Sequence, residues 1–318
     1  MLPPTIILPA GPLPVRGQEG LAGLIFVFEP DRVQVLGKGE RRLRVRLDIG
    51  NDAFYNGKVV EEAIYEDTER QELRVGAAWG LGKGREVRAD LTVAARNGGV
   101  TDSFVRFWHK AVVPFTTPGQ EGQPPYQNVV DVQSGGTTLH LQSGTAALTS
   151  LLLGAKTTLN SPSPRVNLAV RGALKVPLAR NSGYLDSGGV DLGASLLATA
   201  RLNGRLTAHG NLNVAYAGKT SVGVLKDGLR VNHGSVVALE WRTSARDSLV
   251  MQAEESTFPF VRTLDSGSGG RRQMSFGVIR SYAGGSRAHL ALSENIYPFR
   301  TTAYVPDVGV SLGFDRRW

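Results

Sequence analysis

The feature that most constrains this chain is an alternation of apolar and polar residues that begins at Arg41 and recurs to the end. In the last segment, Val308, Val310, Leu312 and Phe314 share one face, while small or polar residues occupy the other. Segments of about 9 to 13 residues recur roughly twelve times, a length that suits a tilted membrane strand. One apolar and one polar face is what a membrane barrel wall requires, because one side meets lipid and the other a polar lumen. We therefore predict an all-β fold, a transmembrane antiparallel β-barrel of about 12 strands.

The connections between these segments support this fold, because short and long ones alternate strictly. The short connections fall at 81–84, 160–164, 203–204, 243–246 and 283–286. The long ones fall near 50–68, 96–145, 177–188, 217–230, 257–271 and 295–305. Short periplasmic turns that alternate with long extracellular loops are typical of outer-membrane barrels. The barrel region is residues 41–318. The pattern also predicts that the chain begins and ends this region on the periplasmic side.

Composition excludes several classes of protein. No apolar run reaches the roughly 18 to 20 residues that a transmembrane helix needs. Cysteine is absent, which removes disulfides, thiol nucleophiles and cysteine zinc sites. The net charge of +8 comes from basic residues spread over nearly every segment, without the clustering that nucleic-acid binding requires. We expect outer-membrane lipid as a partner, other envelope or surface-layer proteins as possible partners, and no nucleic acid.

The first 40 residues differ from the rest, being rich in proline and then apolar at 21–28. We interpret residues 1–40 as an N-terminal extension that is either periplasmic or packed in the lumen. The alternative is one extra strand, which would disturb the alternation of connections. The start lacks the basic region and apolar core of a secretory signal. Since an outer-membrane protein must be exported, we expect the export signal upstream of the given start and a bacterial outer-membrane location.

Several motifs then carry a resemblance to a known family. They are 12–19 (PLPVRGQE), 48–51 (DIGN), 98–109 (GGVTDSFVRFWH), 173–177 (ALKVP), 187–191 (SGGVD), 293–295 (SEN) and 305–307 (VPD). In this order they resemble an uncharacterised bacterial outer-membrane family, a domain of unknown function placed among membrane β-barrels. The chain departs from that family at Lys110, where the family is usually acidic, and at Asn295, where it usually has Asp. The resemblance implies a location and a fold, and no reaction.

Catalysis has little support in the sequence. The five histidines show no metal-ligand spacing, and no Gly-x-Ser-x-Gly nucleophile motif occurs. Residues 80–84 superficially resemble a phosphate loop but lack the Walker pattern and join two strands. We predict no catalytic, cofactor-binding or metal-binding residues. The only enzyme that we weigh as an alternative is an outer-membrane lipid hydrolase.

One stretch, residues 101–115, has helical periodicity, with Thr101 or Asp102 as a cap and Pro114 as a stop. It lies in the long loop 96–145, where residues 126–143 are expected to form a hairpin. Its aromatic side chains can fold into the barrel mouth as a constriction, or the helix can lie over the rim. The candidates for such a constriction are Phe104, Phe107, Trp108 and His109.

The polar faces of the segments supply the candidate lumen-lining residues, which are mostly charged. They are Arg42, Arg44, Arg46, Asp48, Glu72, Arg74, Arg88, Asp90, Arg171, Lys175, Asp191, His209, Glu240, Arg242, Glu254, Arg287 and Asp307. Because basic residues exceed acidic ones, we predict a passive channel or transport-related barrel for small anionic or polar solutes. The alternative is an occluded structural or interaction barrel that docks envelope or surface-layer partners.

Aromatic residues mark the ends of several segments. Trp79, Trp241, Tyr282 and Trp318 should form the periplasmic part of an aromatic girdle. Phe314 and the terminal Trp318 resemble the signal by which outer-membrane barrels are recognised for assembly.

Overall fold

A computed structural model gives the fold. It describes residues 9–15, 22–24, 26–59, 62–112, 126–134, 137–142, 144–160, 165–179, 184–220, 231–257, 270–295 and 308–318. Fourteen strands and one α-helix lie in this part of the chain. The strands are β1 Arg41–Val59, β2 Glu62–Gly82, β3 Arg85–Asn97, β4 Val129–Ser134, β5 Thr137–Leu141, β6 Thr145–Thr158, β7 Val166–Pro177, β8 Asp191–Arg201, β9 Leu206–Tyr216, β10 Val231–Arg242, β11 Asp247–Thr257, β12 Gly270–Ser281, β13 Arg287–Asn295 and β14 Val308–Arg317. The helix, α1, spans Asp102–Ala111.

Twelve of the strands form a closed antiparallel ring. The order runs from β1 through β14 down to β6, then β3 and β2, and β2 pairs again with β1. The remaining strands, β4 and β5, form a hairpin whose strand β4 pairs with the Ala63–Asp67 part of β2. The prediction of an all-β antiparallel barrel of about 12 strands with one short loop helix is confirmed.

The wall is inside out compared with a soluble protein, and β3 illustrates why. Its polar Glu86, Arg88 and Asp90 are buried, while Leu91 and Val93 are 44% and 41% exposed. Because successive side chains of a strand point to opposite faces, one set faces the lumen and the other the outside. The apolar outer face is therefore the surface that lipid would cover.

At one end of the barrel, here called the short-turn end, strands are joined by brief connections. At 203–204 the structure has a turn in which the Asn203 side chain accepts hydrogen bonds from the backbone N–H groups of Arg205 and Leu206, both at 2.8 Å. At the same end, Glu40 accepts hydrogen bonds from the Arg317 guanidinium, which lowers the pKa of this carboxyl group. These contacts fix the chain immediately before β1.

The opposite end, the long-loop end, differs from the prediction in one place. The predicted loop 50–68 is mostly strand, because β1 and β2 are 19 and 21 residues long. Residues 52–56 of β1 continue to pair with β2 beyond the last pair between β1 and β14, which is Asn51 with Val308. A two-stranded ribbon beyond the ring does not separate lipid from a lumen, so its sequence need not alternate. The alternation therefore could not predict that β1 and β2 extend through this part.

The helix α1 lies on the outer wall at this end. Its buried residues are Val105 and His109, and the Trp108 indole donates a hydrogen bond of 2.8 Å to Glu294. Asp102 accepts a hydrogen bond of 2.6 Å from Asn51. Within the described part of the chain, no helix is long and apolar enough to cross a membrane.

Candidate functional site: a charged lumen filled by the N-terminal segment

Residues 9–15 and 26–37 lie in the lumen, as their contacts with inward side chains all around the ring demonstrate. Ala10 contacts Glu240 of β10, Glu29 contacts β1, β2 and β3, and Asp31 contacts β6 and β7. We call these residues the N-terminal insert. It has a first limb, residues 9–15, and a second limb, residues 26–36, and both meet the wall.

The first limb is held by its backbone and by apolar contacts. The N–H groups of Ala10 and Gly11 donate to the Glu240 carboxylate at 3.0 and 2.9 Å, and that of Leu13 donates to Gln252 at 3.1 Å. Arg287 donates to the carbonyl of Ala10 at 2.7 Å. The apolar contacts form one buried cluster, made of Ala10, Leu13, Val15, Ala238, Val250, Ile279 and Ala291.

The second limb carries a carboxylate, Glu29, that four arginines bind. Oε1 accepts from Arg44 at 2.8 Å and from Arg88 at 2.9 Å, and Oε2 accepts from Arg46 at 2.6 Å and from Arg74 at 2.8 Å. These arginines come from β1, β2 and β3, where alternation places every second side chain in the lumen. The Glu29 side chain is 1% exposed, so the ion pairs are shielded from solvent.

Two residues further along, Asp31 forms a second anchor. Its Oδ2 lies 3.2 Å from the Lys156 ammonium and 3.3 Å from the Arg171 guanidinium. Its backbone N–H donates to Asn211 at 2.8 Å, and its carbonyl accepts from the same amide at 3.1 Å. Immediately before Glu29, Phe28 lies under Arg171, whose guanidinium carbon is 4.5 Å from the ring centre.

The ion pairs among the described residues join wall and insert into one network. Its basic members, all on the wall, are Arg42, Arg44, Arg46, Arg70, Arg74, Arg88, Lys156 and Arg171. Its acidic wall members are Asp48, Glu72, Glu86, Asp90 and Asp315. Within this network, basic groups outnumber acidic groups on the wall. The negative charges of Glu29 and Asp31 compensate part of that excess. Without the insert, this network of described residues therefore carries a positive excess.

One cavity between the insert and the wall is small. It measures about 30 Å³ and is lined by Pro12, Pro30, Arg44, Arg287 and other residues. A cavity of this size holds water and excludes an organic solute. Nearer the long-loop end, the carbonyl of Leu185 accepts a hydrogen bond of 2.8 Å from Arg70, and Asp186 lies 2.9 Å from the Lys175 ammonium. The insert and the residues around Leu185 thus occupy part of the described lumen.

Most candidate lumen residues lie where alternation places them. The following are buried among the inward faces: Arg42, Arg44, Arg46, Asp48, Glu72, Arg74, Arg88, Asp90, Arg171, Lys175, Asp191, His209 and Glu240. Arg242, Glu254 and Arg287 are partly buried, and Asp307 lies outside the described residues.

The sequence reasoning missed Glu29, Asp31 and Lys156, which are central to the network. Glu29 and Asp31 lie in an irregular segment where no periodicity assigns a face. An available signal was the pair of acids in a largely apolar stretch, residues 21–36, of a chain whose predicted wall is rich in arginine.

The structure does not bring the candidate constriction residues into the mouth. Trp108 and His109 both contact Glu294. On β13, Glu294 shares the outward face with Leu290 and Leu292. Phe104 and Phe107 are 40% and 63% exposed on the outside. The interpretation of this helix as a constriction is wrong for α1, because its buried face packs on the wall from outside. The lumen is occupied by the N-terminal insert instead.

The aromatic residues chosen for the girdle point outward near the short-turn end. Trp79, Trp241, Tyr282 and Trp318 are each 42–58% exposed. Phe314 lies on the same face, with its ring centre 6.3 Å from that of Tyr282. The backbone of Trp318 exchanges two hydrogen bonds with Arg41, so the final residue helps to close the ring. Whether Phe314 and Trp318 act as an assembly signal stays a prediction.

The histidines and carboxylates of the described residues are the candidates for a metal site. No group of three or more histidine, aspartate or glutamate side chains there is arranged to hold a metal ion. His209 is enclosed between Thr199 at 3.2 Å and Glu240 at 3.1 Å. These contacts make His209 part of the support for the first limb.

Comparisons with known proteins agree with this architecture. The model of a family described as "Protein of unknown function (DUF3187)" matches residues 11–318. No curated protein matches the chain. Among solved structures, the COG4313 outer membrane channel from Pseudomonas putida F1 is similar, with 11% identity, a TM-score of 0.56, and coverage of 92% of this chain and 100% of that one. The KdgM porin matches with 5% identity and a TM-score of 0.45, over 86% of this chain and 97% of that one. At 11% identity, the similarity to the COG4313 channel concerns the fold.

Proposed function

We propose that this chain, which belongs to the DUF3187 family, is an outer-membrane channel for small anionic solutes whose N-terminal insert must move before solute passes. The barrel fold and the apolar outer face support an outer-membrane location. By this proposal the short-turn end faces the periplasm.

The observation that carries the proposal is the arginine-rich wall around Glu29. A barrel of 12 strands is wider than the eight-stranded barrels that side chains alone can fill, so its lumen needs either a filler or a solute path. A filler meant only for stability could be apolar, whereas this wall keeps a positive excess that the insert only partly neutralises. A positive lumen favours anions.

The test is conductance of the full chain in planar bilayers. The double variant Glu29→Gln with Asp31→Asn removes both anchoring charges of the insert with little change in shape. We expect it to raise the open probability well above that of the unmodified protein, with a reversal potential in a salt gradient that indicates anion preference. Replacing Arg42, Arg44 and Arg46 with glutamine in the double variant should reduce that preference.

A matched control is Glu255→Gln, because Glu255 also pairs with an arginine, Arg272 at 2.9 Å, but half exposed and outside the lumen. It should leave conductance unchanged. A cation-selective pore would contradict the proposal.

The small residual cavity favours a second candidate, an occluded barrel that acts as a scaffold. In that case neither the unmodified protein nor the double variant would conduct. The bilayer measurement therefore separates the two functions.

A further inference from the structure

We infer that Glu29 and Asp31 occupy the places of the two carboxylates of a dicarboxylate solute, and that the basic groups around them are the solute-binding site. This inference rests on the proposed function, since it names the solute class and the event that releases the insert. It concerns the same lumen but makes a separate claim about binding.

The Glu29 subsite has the geometry of a complete carboxylate receptor. An ionised carboxylate accepts about four hydrogen bonds, two on each oxygen. Glu29 receives four, two on each oxygen, all from guanidinium groups at 2.6–2.9 Å. Planar guanidinium groups are the donors best matched to carboxylates. A free carboxylate in this position would find every acceptor site occupied in the same way.

The Asp31 subsite is smaller and lies beside the first. Lys156 and Arg171 bind one of its oxygens. Arg88 contacts both acids, Glu29 at 2.9 Å and Asp31 at 3.8 Å, so one guanidinium spans the two subsites. A ligand that fills both must therefore have two carboxylates joined by a short linker. Succinate and glutarate have this form, and acetate can fill only one subsite.

Exchange with such a solute keeps the wall satisfied. If the second limb leaves with nothing in its place, Arg44, Arg46, Arg74 and Arg88 lose a shared partner in a shielded site, which is unfavourable. A dicarboxylate that enters restores those contacts. Because the solute binds only the state in which the limb has left, it shifts the population toward that state.

Competition between insert and solute gives a result that a purely structural role would not. The apparent affinity for a solute is reduced by the fraction of molecules in which the site is free. Weakening the insert should therefore strengthen solute binding, while weakening the wall should weaken it. If Glu29 were only a strut, its loss would leave solute affinity unchanged or lower it.

The experiment is calorimetric titration of the purified full chain in detergent with succinate, and with acetate at equal ionic strength. Glu29→Gln should tighten succinate binding by at least about tenfold, because it replaces one carboxylate oxygen, which accepts two charge-assisted hydrogen bonds, by an amide NH2 group. Arg46→Gln should weaken it by at least about tenfold. Glu255→Gln, the half-exposed pair outside the lumen, should leave it unchanged.

A second readout uses the absence of cysteine from the chain, which makes any introduced thiol unique. Val33 is buried on the second limb against Ala169 and Leu197, and the Val33→Cys variant is close in size. Succinate should raise the rate at which a thiol reagent modifies this variant several-fold. Acetate should have a much smaller effect at the same ionic strength.

Each outcome decides the matter. Equal effects of acetate and succinate would overturn the two-carboxylate site, and binding that Glu29→Gln weakens or leaves unchanged would overturn the competition. Folding of each variant is checked by heat-dependent migration in detergent gels. If Arg46→Gln does not fold, Arg74→Lys replaces it, because that variant keeps the charge but loses the planar guanidinium group. An anion-conducting barrel that binds no succinate would refute this inference alone. Succinate binding without conductance in any variant would refute the channel and leave the site.

Discussion

The two limbs of the insert meet the same barrel by different physical means. The first limb, residues 9–15, is held by backbone hydrogen bonds to Glu240 and Gln252 and by an apolar cluster. The second, residues 26–36, also makes apolar contacts through Phe26, Phe28 and Val33, but it alone carries carboxylates, Glu29 and Asp31, that form ion pairs with the wall. Apolar burial has no external competitor, whereas an anion from solution can replace a carboxylate. The comparison indicates that the first limb is the anchor and the second is the part that exchanges.

Charge reversal at Glu29 should have the largest effect on this difference. Glu29→Lys places a cation among four guanidinium groups, and breaking a buried pair costs about 3–5 kcal/mol. We expect thiol modification of Val33→Cys to accelerate on the order of a hundredfold or more. The same reporter on the first limb, Val15→Cys, should change far less. Equal acceleration of both reporters would mean that the limbs release together, with Glu255→Lys as the control.

Truncation on the first limb should give the converse result. Leu13 is fully buried in the apolar cluster, and Leu→Ala substitutions in cores cost about 2–5 kcal/mol. Leu13→Ala should therefore accelerate modification of Val15→Cys, while Val33→Cys stays protected by the ion pairs. Loss of protection at Val33→Cys alone would reverse the assignment of anchor and exchanging limb.

A smaller effect should follow from crowding the aromatic part of the second limb. Gly193 of β8 lies against Phe28, and a methyl group there would be 2.4 Å from the ring carbon Cε2. Overpacking of this kind costs about 1–3 kcal/mol. Gly193→Ala should raise the modification rate of Val33→Cys roughly tenfold. Gly172→Ala is the control, because its nearest atom would be 3.9 Å away.

Salt should have the smallest effect. The Debye length falls from about 10 Å at 0.1 M to about 3 Å at 1 M, but buried pairs are screened less than exposed ones. Raising sodium chloride over this range should accelerate modification of Val33→Cys a few-fold and leave Val15→Cys unchanged or slower, since salt does not weaken apolar contacts. A stronger response at Val15→Cys would contradict the assignment of forces.

The strands were predictable because lipid and lumen impose a period of two on each segment. That period alone assigns Arg44, Arg46, Arg74 and Arg88 to the inner face. It cannot place Glu29 or Asp31, because their segment is irregular and its position is set by the wall that it meets. The prediction for helix α1 failed for a related reason. Its aromatic face predicts burial, but the lipid-facing outer wall of a membrane barrel is as apolar a surface as any core.

The path of the insert has a mechanical consequence. Arg287 at the start of β13 binds the carbonyls of Ala10 and Pro9, and Gly39 donates a backbone hydrogen bond to Gly80 beside the first turn. Both contacts lie at the short-turn end, so the first and last described residues of the insert lie near the same opening. A pulling force applied ahead of Pro9 would act on the contacts of the first limb before the ion pairs of the second. A solute that replaces Glu29 and Asp31 would release the second limb first, so force and solute would release the two limbs in opposite orders.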